Sequence, residues 1–189
     1  MEWTIPGTVI TARRGDGDAA QAQIRSMFLA GGMVRSQVAA VTGLESHAIQ
    51  NWVKRGFLSP PIGKRYTCRQ FCRIAVINML KNVLSMEKIC ALLSYVNGQL
   101  DIESDDSIDD SELYFAFIHV AAKLRDLATD QTALQQAIDE SRTDYQEPVP
   151  GAKRRVEQVL LIMLTAWASA QLQREAENLF TKLSLKEGE

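Results

Sequence analysis

A glycine-cornered pair of short helical patterns constrains the fold of this chain more than any other sequence feature. Residues 36–44 form a short helical pattern that ends at Gly43. A second pattern runs from Glu45 to Arg55 and ends at Gly56. Because glycine adopts left-handed backbone conformations without steric cost, it suits both a tight corner and the end of a helix. The spacing therefore predicts two short helices that cross next to Gly43.

The two helical patterns each have an apolar side and a polar side. Ala39 is expected where the helices cross, because a small residue allows close approach. The apolar anchors beneath the crossing are Val38, Leu44, Ile49 and Trp52. Helical geometry gathers the polar residues of the second helix on one outward face. These polar residues are Ser46, His47, Gln50, Asn51 and Lys54.

A basic, proline-rich turn follows the second helix. Residues 60–66 read Pro-Pro-Ile-Gly-Lys-Arg-Tyr, which predicts a small hairpin near Ile62 to Tyr66 and the only β structure of the chain. A basic hairpin of this kind can hold the DNA backbone and fix register without reading sequence. Glutamine and asparagine pair with adenine, whereas lysine and arginine suit guanine or phosphate. Helix, corner, helix and basic wing together predict binding to double-stranded DNA.

The predicted interface has two groups of residues. Base-edge contacts are expected from Ser46, His47, Gln50 and Asn51. Phosphate contacts are expected from Arg35, Lys54, Arg55, Lys64, Arg65 and Tyr66. His47 is interpreted as an exposed helix residue rather than a metal ligand.

The distribution of charge agrees with this interpretation. The net charge is only −2, but residues 1–100 hold 12 Lys/Arg against 5 Asp/Glu, and residues 101–189 hold 9 against 18. A basic half suits a polyanion, while an acidic half is repelled by it.

The sequence predicts an all-α chain in four regions. They are a helical lead-in at 1–33, a winged helix-turn-helix domain at 34–97, an acidic linker at 98–112 and a helical C-terminal domain at 113–189. Outside the helix pair, the 3.6-residue period and the loop residues predict helices at 19–30, 68–82, 86–95, 113–141 and 152–183. Asp18, Thr67 and Ser85 are the expected N-caps of the first three.

The acidic stretch is also considered as a calcium loop. Counting from Asp101, oxygen ligands recur at suitable places, but Asp106 stands where the loop requires glycine. A solvated linker is therefore the preferred interpretation of residues 101–112.

Three cysteines and the absence of a signal-like run at the N-terminus favour a reducing cytoplasm. Cys68, Cys72 and Cys90 are interpreted as packing residues rather than metal or redox sensors. The chain has no phosphate-binding glycine loop, no paired histidines at metal spacing and no nucleophile elbow. The sequence thus predicts a protein that is not an enzyme and that uses no cofactor, no metal and no membrane.

The last predicted helix carries more apolar residues than one side of a small domain buries. Leu161, Ile162, Leu164 and Leu172 widen its apolar stripe. A two-fold homodimer would cover the excess, with a thick intramolecular core as the alternative.

Several stretches also occur together in one family. They are Gln37-Val38-Ala39-Ala40-Val41-Thr42-Gly43-Leu44, then Ile49, Trp52 and Arg55-Gly56-Phe57-Leu58, then Lys64-Arg65-Tyr66-Thr67, and residues 85–93. As a set, residues 34–96 resemble the N-terminal domain of MerR-type regulators. The resemblance implies a winged helix-turn-helix, dimerisation through a C-terminal helix, and binding between promoter elements that the dimer distorts.

A narrower resemblance and two departures accompany it. Residues 43–56 and the acidic segment 103–114 resemble an uncharacterised Firmicute family of MerR-like proteins that carries a domain-of-unknown-function label. MerR-type proteins commonly have Arg-Tyr in the middle of the recognition helix, where this chain has Gln50-Asn51. The usual arginine of the wing corresponds to Lys64, with Arg65 beside it.

Two other functions remain open from the sequence. One is a MerR-like protein-interaction module without DNA binding, which the missing Arg-Tyr pair favours. The other is a regulator that senses a small molecule through aromatic residues of the C-terminal half. These aromatic residues are Tyr114, Phe115, Phe117, Trp167 and Phe180.

Overall fold

The computed structural model describes residues 2–97, 107–124, 131–141 and 145–184. In chain order, the elements are β1 (Glu2–Thr4), β2 (Thr11–Arg13), α1 (Gly17–Ser26), β3 (Met33–Val34), α2 (Arg35–Thr42), α3 (Ser46–Lys54), β4 (Arg65–Tyr66), α4 (Cys68–Leu80), α5 (Met86–Asn97), α6 (Asp110–Lys123), α7 (Gln131–Ser141) and α8 (Ala152–Ser184). The all-α class predicted from the sequence is confirmed. Strands in the described residues are limited to two short antiparallel pairs.

Two helices form the centre of the molecule. In α4, every residue from Gln70 to Ile77 is buried, and in α6 every residue from Leu113 to Ile118 is buried. A helix that is apolar on nearly all sides belongs in the interior of a domain. α4 packs on α6, α1 covers another side of α6, and α8 packs against α5, α6 and α7. One continuous hydrophobic core results.

A buried ion pair connects α4 to the start of α6. Arg73 Nη1 lies 3.2 Å from Asp110 Oδ2, and Asn97 Nδ2 donates to Asp110 Oδ1 at 2.6 Å. Arg69 Nε lies 3.2 Å from Asp109 Oδ2. The last part of the predicted acidic linker is therefore packed into the fold, because two arginines of α4 neutralise it. Residues 98–106, which include most of the positions considered for a calcium loop, lie outside the described residues.

Helix α1 differs from its prediction at both ends. Its N-cap is Asp16, whose side chain accepts a hydrogen bond from Ala19 N at 2.8 Å, and not Asp18. The helix ends at Ser26 rather than Ala30. Residues 27–31 continue as turns with hydrogen bonds three residues apart, a tightening that is common at helix ends. This turn brings Phe28 against Phe71, with 5.6 Å between the ring centroids.

The helix predicted over 113–141 is wrong as one element. α6 starts three residues earlier, at Asp110, and ends before Leu124, whose backbone is extended at φ −67° and ψ 107°. Arg14 Nη2 donates to the Leu124 carbonyl oxygen at 2.9 Å, which occupies an acceptor at the helix end. Residues 125–130 of the predicted helix lie outside the described residues, and α7 follows them.

The β content was underestimated. β1 pairs with β2 in an N-terminal hairpin, with Trp3 opposite Ala12. Strands of three residues are too short to show a convincing alternation, which is why the sequence pattern missed them. The remaining helices agree closely with their predictions, including Thr67 as N-cap of α4. Within the described ranges, no helix combines the length and the apolar character that a membrane-spanning helix requires.

Candidate nucleic-acid interface

The α2–α3 pair has the corner that the sequence predicts. α2 ends at Gly43, which has a left-handed backbone at φ 68°, and α3 starts at Ser46. The four predicted anchors, Val38, Leu44, Ile49 and Trp52, are all buried. Ala39 is partly buried against the same core. The apolar side of the pair is therefore held rigidly on the body of the protein.

The polar side of α3 faces outward. His47, Gln50, Asn51 and Lys54 are exposed, and Ser46 is partly exposed at the start of the helix. Only Ile49 and Trp52 of this helix are buried. The side chains expected to read DNA bases thus share one accessible surface.

A tight turn forms the wing. Arg65 N donates to Ile62 O at 2.9 Å, and the two central residues, Gly63 and Lys64, have φ values of 56° and 66°. Positive φ at both central positions is required by the type I′ hairpin turn. Lys64 is the one non-glycine residue with positive φ among those described. Such a conformation is disfavoured for residues with a β-carbon, by about 1–2 kcal/mol.

The wing is connected to the body in a way the sequence did not reveal. β4 pairs with β3, so that Val34 is opposite Arg65 and Met33 is opposite Tyr66. Arg65 Nη1 also donates to Gly32 O at 2.6 Å. Since β3 runs directly into α2, the wing lies beside the start of that helix.

A cleft of about 460 Å³ lies between the wing and the starts of α2 and α3. The residues that line it are Val34, Arg35, Ser36, Ser46, Pro61, Lys64 and Tyr66. At neither helix does the N-cap side chain bond the first-turn amides. Helix N-termini carry partial positive charge and N–H groups without helical partners, which favour anions. Two such termini and two cations therefore border one cleft.

The predicted phosphate ligands differ in their surroundings. Arg35, Lys54 and Lys64 are exposed. The Arg55 guanidinium lies over the Phe57 ring, 4.6 Å from its centroid. The Arg65 side chain is exposed, but its guanidinium already donates a hydrogen bond to Gly32 O.

Tyr66 is the clearest departure from the predicted interface. Its side chain is only 3% exposed, and burial raises the pKa of its hydroxyl while Arg35 acts in the opposite direction. Successive residues of a strand face opposite sides, so Arg65 points outward and Tyr66 inward. Tyr66 lines the floor of the cleft and is otherwise a core residue.

Ser36 was not among the predicted contacts, although it lines the cleft at the start of α2. Its position next to the wing follows from the β3–β4 pairing, which joins residues more than thirty positions apart. In the sequence, only the position of Ser36 at the start of the first helical pattern indicated that it could belong to the site.

The cysteines and the other titratable groups form no comparable site. Among the described residues, no group of three or more His, Cys, Asp and Glu side chains is arranged to hold a metal ion. The Cys68 thiol has its pKa lowered mainly by a hydrogen bond with Cys72, whereas burial raises the pKa of Cys72.

The aromatic residues considered as a small-molecule sensor are distributed differently from that hypothesis. Tyr114, Phe115 and Phe117 are buried in the core, and the Tyr114 hydroxyl donates to Pro6 O at 2.6 Å. Phe180 is exposed near the end of α8, far along the chain from Trp167. These five residues therefore do not line one pocket.

Comparison with known proteins gives limited matches. Residues 32–117, less than half of the chain, match a family described as a domain of unknown function, DUF1836. The uncharacterized protein YkrK of Bacillus subtilis (strain 168) is 26% identical over 150 residues, which cover 74% of this chain and 64% of that protein. The match thus spans less than two thirds of the relative's length. No solved structure matches the chain. The family match includes α2, α3, the wing and α4, so the surface described above lies within the shared region.

Proposed function

We propose that this protein is a sequence-specific DNA-binding transcriptional regulator of the MerR-like winged helix-turn-helix type. The observation that carries the proposal is the outward polar face of α3, supported from below by Ile49 and Trp52. An α-helix fits the major groove of duplex DNA, where base pairs present distinct donors and acceptors. Gln50 and Asn51 are the side chains best suited to bidentate contact with adenine.

The wing and the neighbouring cleft supply the backbone contacts in this proposal. Lys64 is exposed on the wing turn, and Lys64 and Arg35 both line the cleft. The adjoining helix starts favour a phosphate oxygen for the same electrostatic reason that helix N-termini hold anions elsewhere. These contacts position α3 in its groove without reading sequence.

A homodimer completes the proposal. On α8, residues 172, 176, 179 and 183 are exposed and recur at intervals of four, three and four. This spacing is typical of a coiled-coil seam, and Phe180 beside it is 70% exposed. A second copy of the chain would bury the seam and place two α3 helices on successive half-sites.

The proposal is tested by selecting bound fragments from random duplex DNA and measuring affinities by fluorescence anisotropy at several salt concentrations. Gln50→Ala is expected to reduce discrimination at the selected site by about 1–3 kcal/mol, with little change in binding to random DNA. Lys64→Gln is expected to weaken binding to all sequences and reduce the salt slope by about 1.

Lys123→Gln is the matched control, because it removes one exposed lysine of α6 and leaves the wing intact. This control should preserve both affinity and salt slope. Unchanged DNA retention in both Gln50→Ala and Lys64→Gln would reject the assignment.

The protein-interaction alternative has one structural observation in its favour. Ile62, at the base of the wing turn, is 72% exposed, and an exposed isoleucine suits a protein partner better than a phosphate backbone. A gel shift of random duplex at low salt distinguishes the two functions, because only the DNA-binding protein retards the duplex.

A further inference from the structure

A second cleft, of about 580 Å³, lies on another side of the molecule. Its walls are the N-terminal hairpin, the corner between α2 and α3, the end of α4 and the middle of α8. Clefts of about 300–1,000 Å³ are typical of small-molecule sites.

The charged side chains that line this cleft all have the same sign. Among the described residues that line this cleft, Arg14, Lys81 and Arg174 are cationic and none is acidic. The lining is therefore net positive, although the whole chain has more acidic than basic residues, 23 against 21. Burial lowers the pKa of the Lys81 amine, although the residue as a whole is exposed. The charges of Lys81 and Arg174 would attract an anion seated in the cleft.

Two tryptophans give the cleft an aromatic wall. Trp3 and Trp167 meet edge to face, with ring centroids 6.5 Å apart. The Trp3 Nε1 hydrogen is buried and has no acceptor within the described part of the chain. With its amide oxygen turned toward them, Gln171 accepts from Trp167 Nε1 at 2.9 Å and from Arg174 Nη2 at 3.0 Å. Gln171 thereby holds an aromatic ring and a guanidinium side by side.

We propose that this cleft binds a small organic anion that carries an aromatic ring. The ring would pack on Trp3, because Trp167 is only 5% exposed, and its carboxylate or sulfonate would face Arg174 and Lys81.

The cleft is also connected to the α2–α3 corner. Asn78 Nδ2 donates to Gly7 O at 3.0 Å and to Thr42 O at 2.9 Å, and Val9 N donates to Val41 O at 2.9 Å. Thr42 and Gly43 themselves line the cleft. A bound anion would therefore contact α8 and the corner at once and restrain the corner. An effect on DNA affinity would follow, and that consequence alone rests on the proposed function.

The test uses 8-anilinonaphthalene-1-sulfonate as the probe, with the full chain free of DNA. N-phenyl-1-naphthylamine has the same aromatic skeleton without the sulfonate and serves as the neutral control. The double variant Arg174→Gln/Lys81→Gln should weaken binding of the sulfonate about fivefold or more, and it should leave binding of the neutral amine unchanged. Both residues are exposed, and circular dichroism melting checks that the variant is folded.

The exposed seam of α8 is the competing site for such a probe. The variant Leu179→Ser/Phe180→Ser makes the middle of that surface polar and is expected to preserve binding of the sulfonate. Amide hydrogen exchange should slow at residues 41–44 when the sulfonate binds, a readout that is independent of DNA. Sulfonate binding that survives Arg174→Gln/Lys81→Gln, or that is lost in the seam variant, would overturn the proposal.

Discussion

Gly7 lies so close to Ala75 that a β-carbon on Gly7 would stand 2.1 Å from the Ala75 carbonyl oxygen. The contact seats the N-terminal hairpin on α4, next to the hydrogen bond that Asn78 Nδ2 donates to Gly7 O. Only glycine permits it, because Gly7 combines this approach with a backbone φ of 78°. The hairpin seated by this contact lines the second cleft and bonds the α2–α3 corner through Val9 N.

Gly7→Ala is expected to be strongly destabilising. Gly15→Ala is its matched control, since Gly15 also has positive φ, at 88°, but a β-carbon there meets nothing within 4 Å. Both substitutions incur the backbone strain, and Gly7→Ala should cost about 1–3 kcal/mol more because of overpacking. Urea denaturation measures the difference, and equal stabilities of the two variants would contradict it.

The buried pair of Arg73 and Asp110 should matter far more than an exposed pair. Asp110→Ala leaves the Arg73 charge unpaired in the interior, at an expected cost of about 3–5 kcal/mol in the free energy of unfolding. Glu112→Ala, which breaks the exposed 2.7 Å pair with Arg25, should cost less than about 1 kcal/mol. Replacing both buried partners, as in Arg73→Met/Asp110→Leu, should recover much of the loss in the same urea titration.

The carboxyl of Asp110 also predicts a pH dependence. Burial raises its pKa above the ordinary value for aspartate, and Arg73 counteracts only part of that increase. Folding therefore favours the neutral form of the Asp110 carboxyl. The stability that this neutral carboxyl contributes is present below the pKa of Asp110 in the unfolded chain, and it is lost as the pH rises through the pKa in the folded protein. The free energy of unfolding of the native protein relative to Asp110→Asn should therefore increase as the pH falls from 7 to about 4. A difference that is constant over this range would refute the shift.

Lys64 allows the stability of the wing to be separated from its binding role. Lys64→Gly relieves a positive-φ side chain and should stabilise the protein by about 1 kcal/mol in thermal or urea unfolding. The same substitution removes a phosphate contact, so DNA affinity should fall even though the protein is more stable. Asparagine adopts positive φ more readily than most residues, so Lys64→Asn should keep the turn and reproduce the loss of DNA affinity. A Lys64→Gly protein with undiminished DNA affinity would exclude Lys64 from the interface.

Alkylation by iodoacetamide should distinguish the three cysteines. The thiolate is the reactive form, and the pKa is lowered for Cys68 but raised for Cys72 and Cys90. Cys68 should therefore react first near neutral pH, as followed by peptide mass spectrometry. Cys72→Ala removes the hydrogen bond that favours the Cys68 thiolate and should slow the reaction of Cys68, whereas Cys90→Ala should not.

Much of the candidate site was predictable from the sequence because its determinants are local. Gly43 and Gly56 mark the ends of α2 and α3, and the helical period separates buried Ile49 and Trp52 from the exposed polar residues. Thr67 caps α4 through an amide three residues away, which is again a local relationship. Such features depend on backbone preferences and on spacing within a few turns.

Other features depended on contacts between residues that are distant in the chain. Pairing of β3 with β4 turned Tyr66 inward and brought the start of α2 to the wing. The ion pair with Arg73 buries Asp110, which belongs to a stretch that the sequence predicted to be a solvated linker. Periodicity shows which side of an element prefers water, but it does not show which other element will cover the apolar side. Only the tertiary structure decided those partners, because burial and ion pairing are properties of the packed chain.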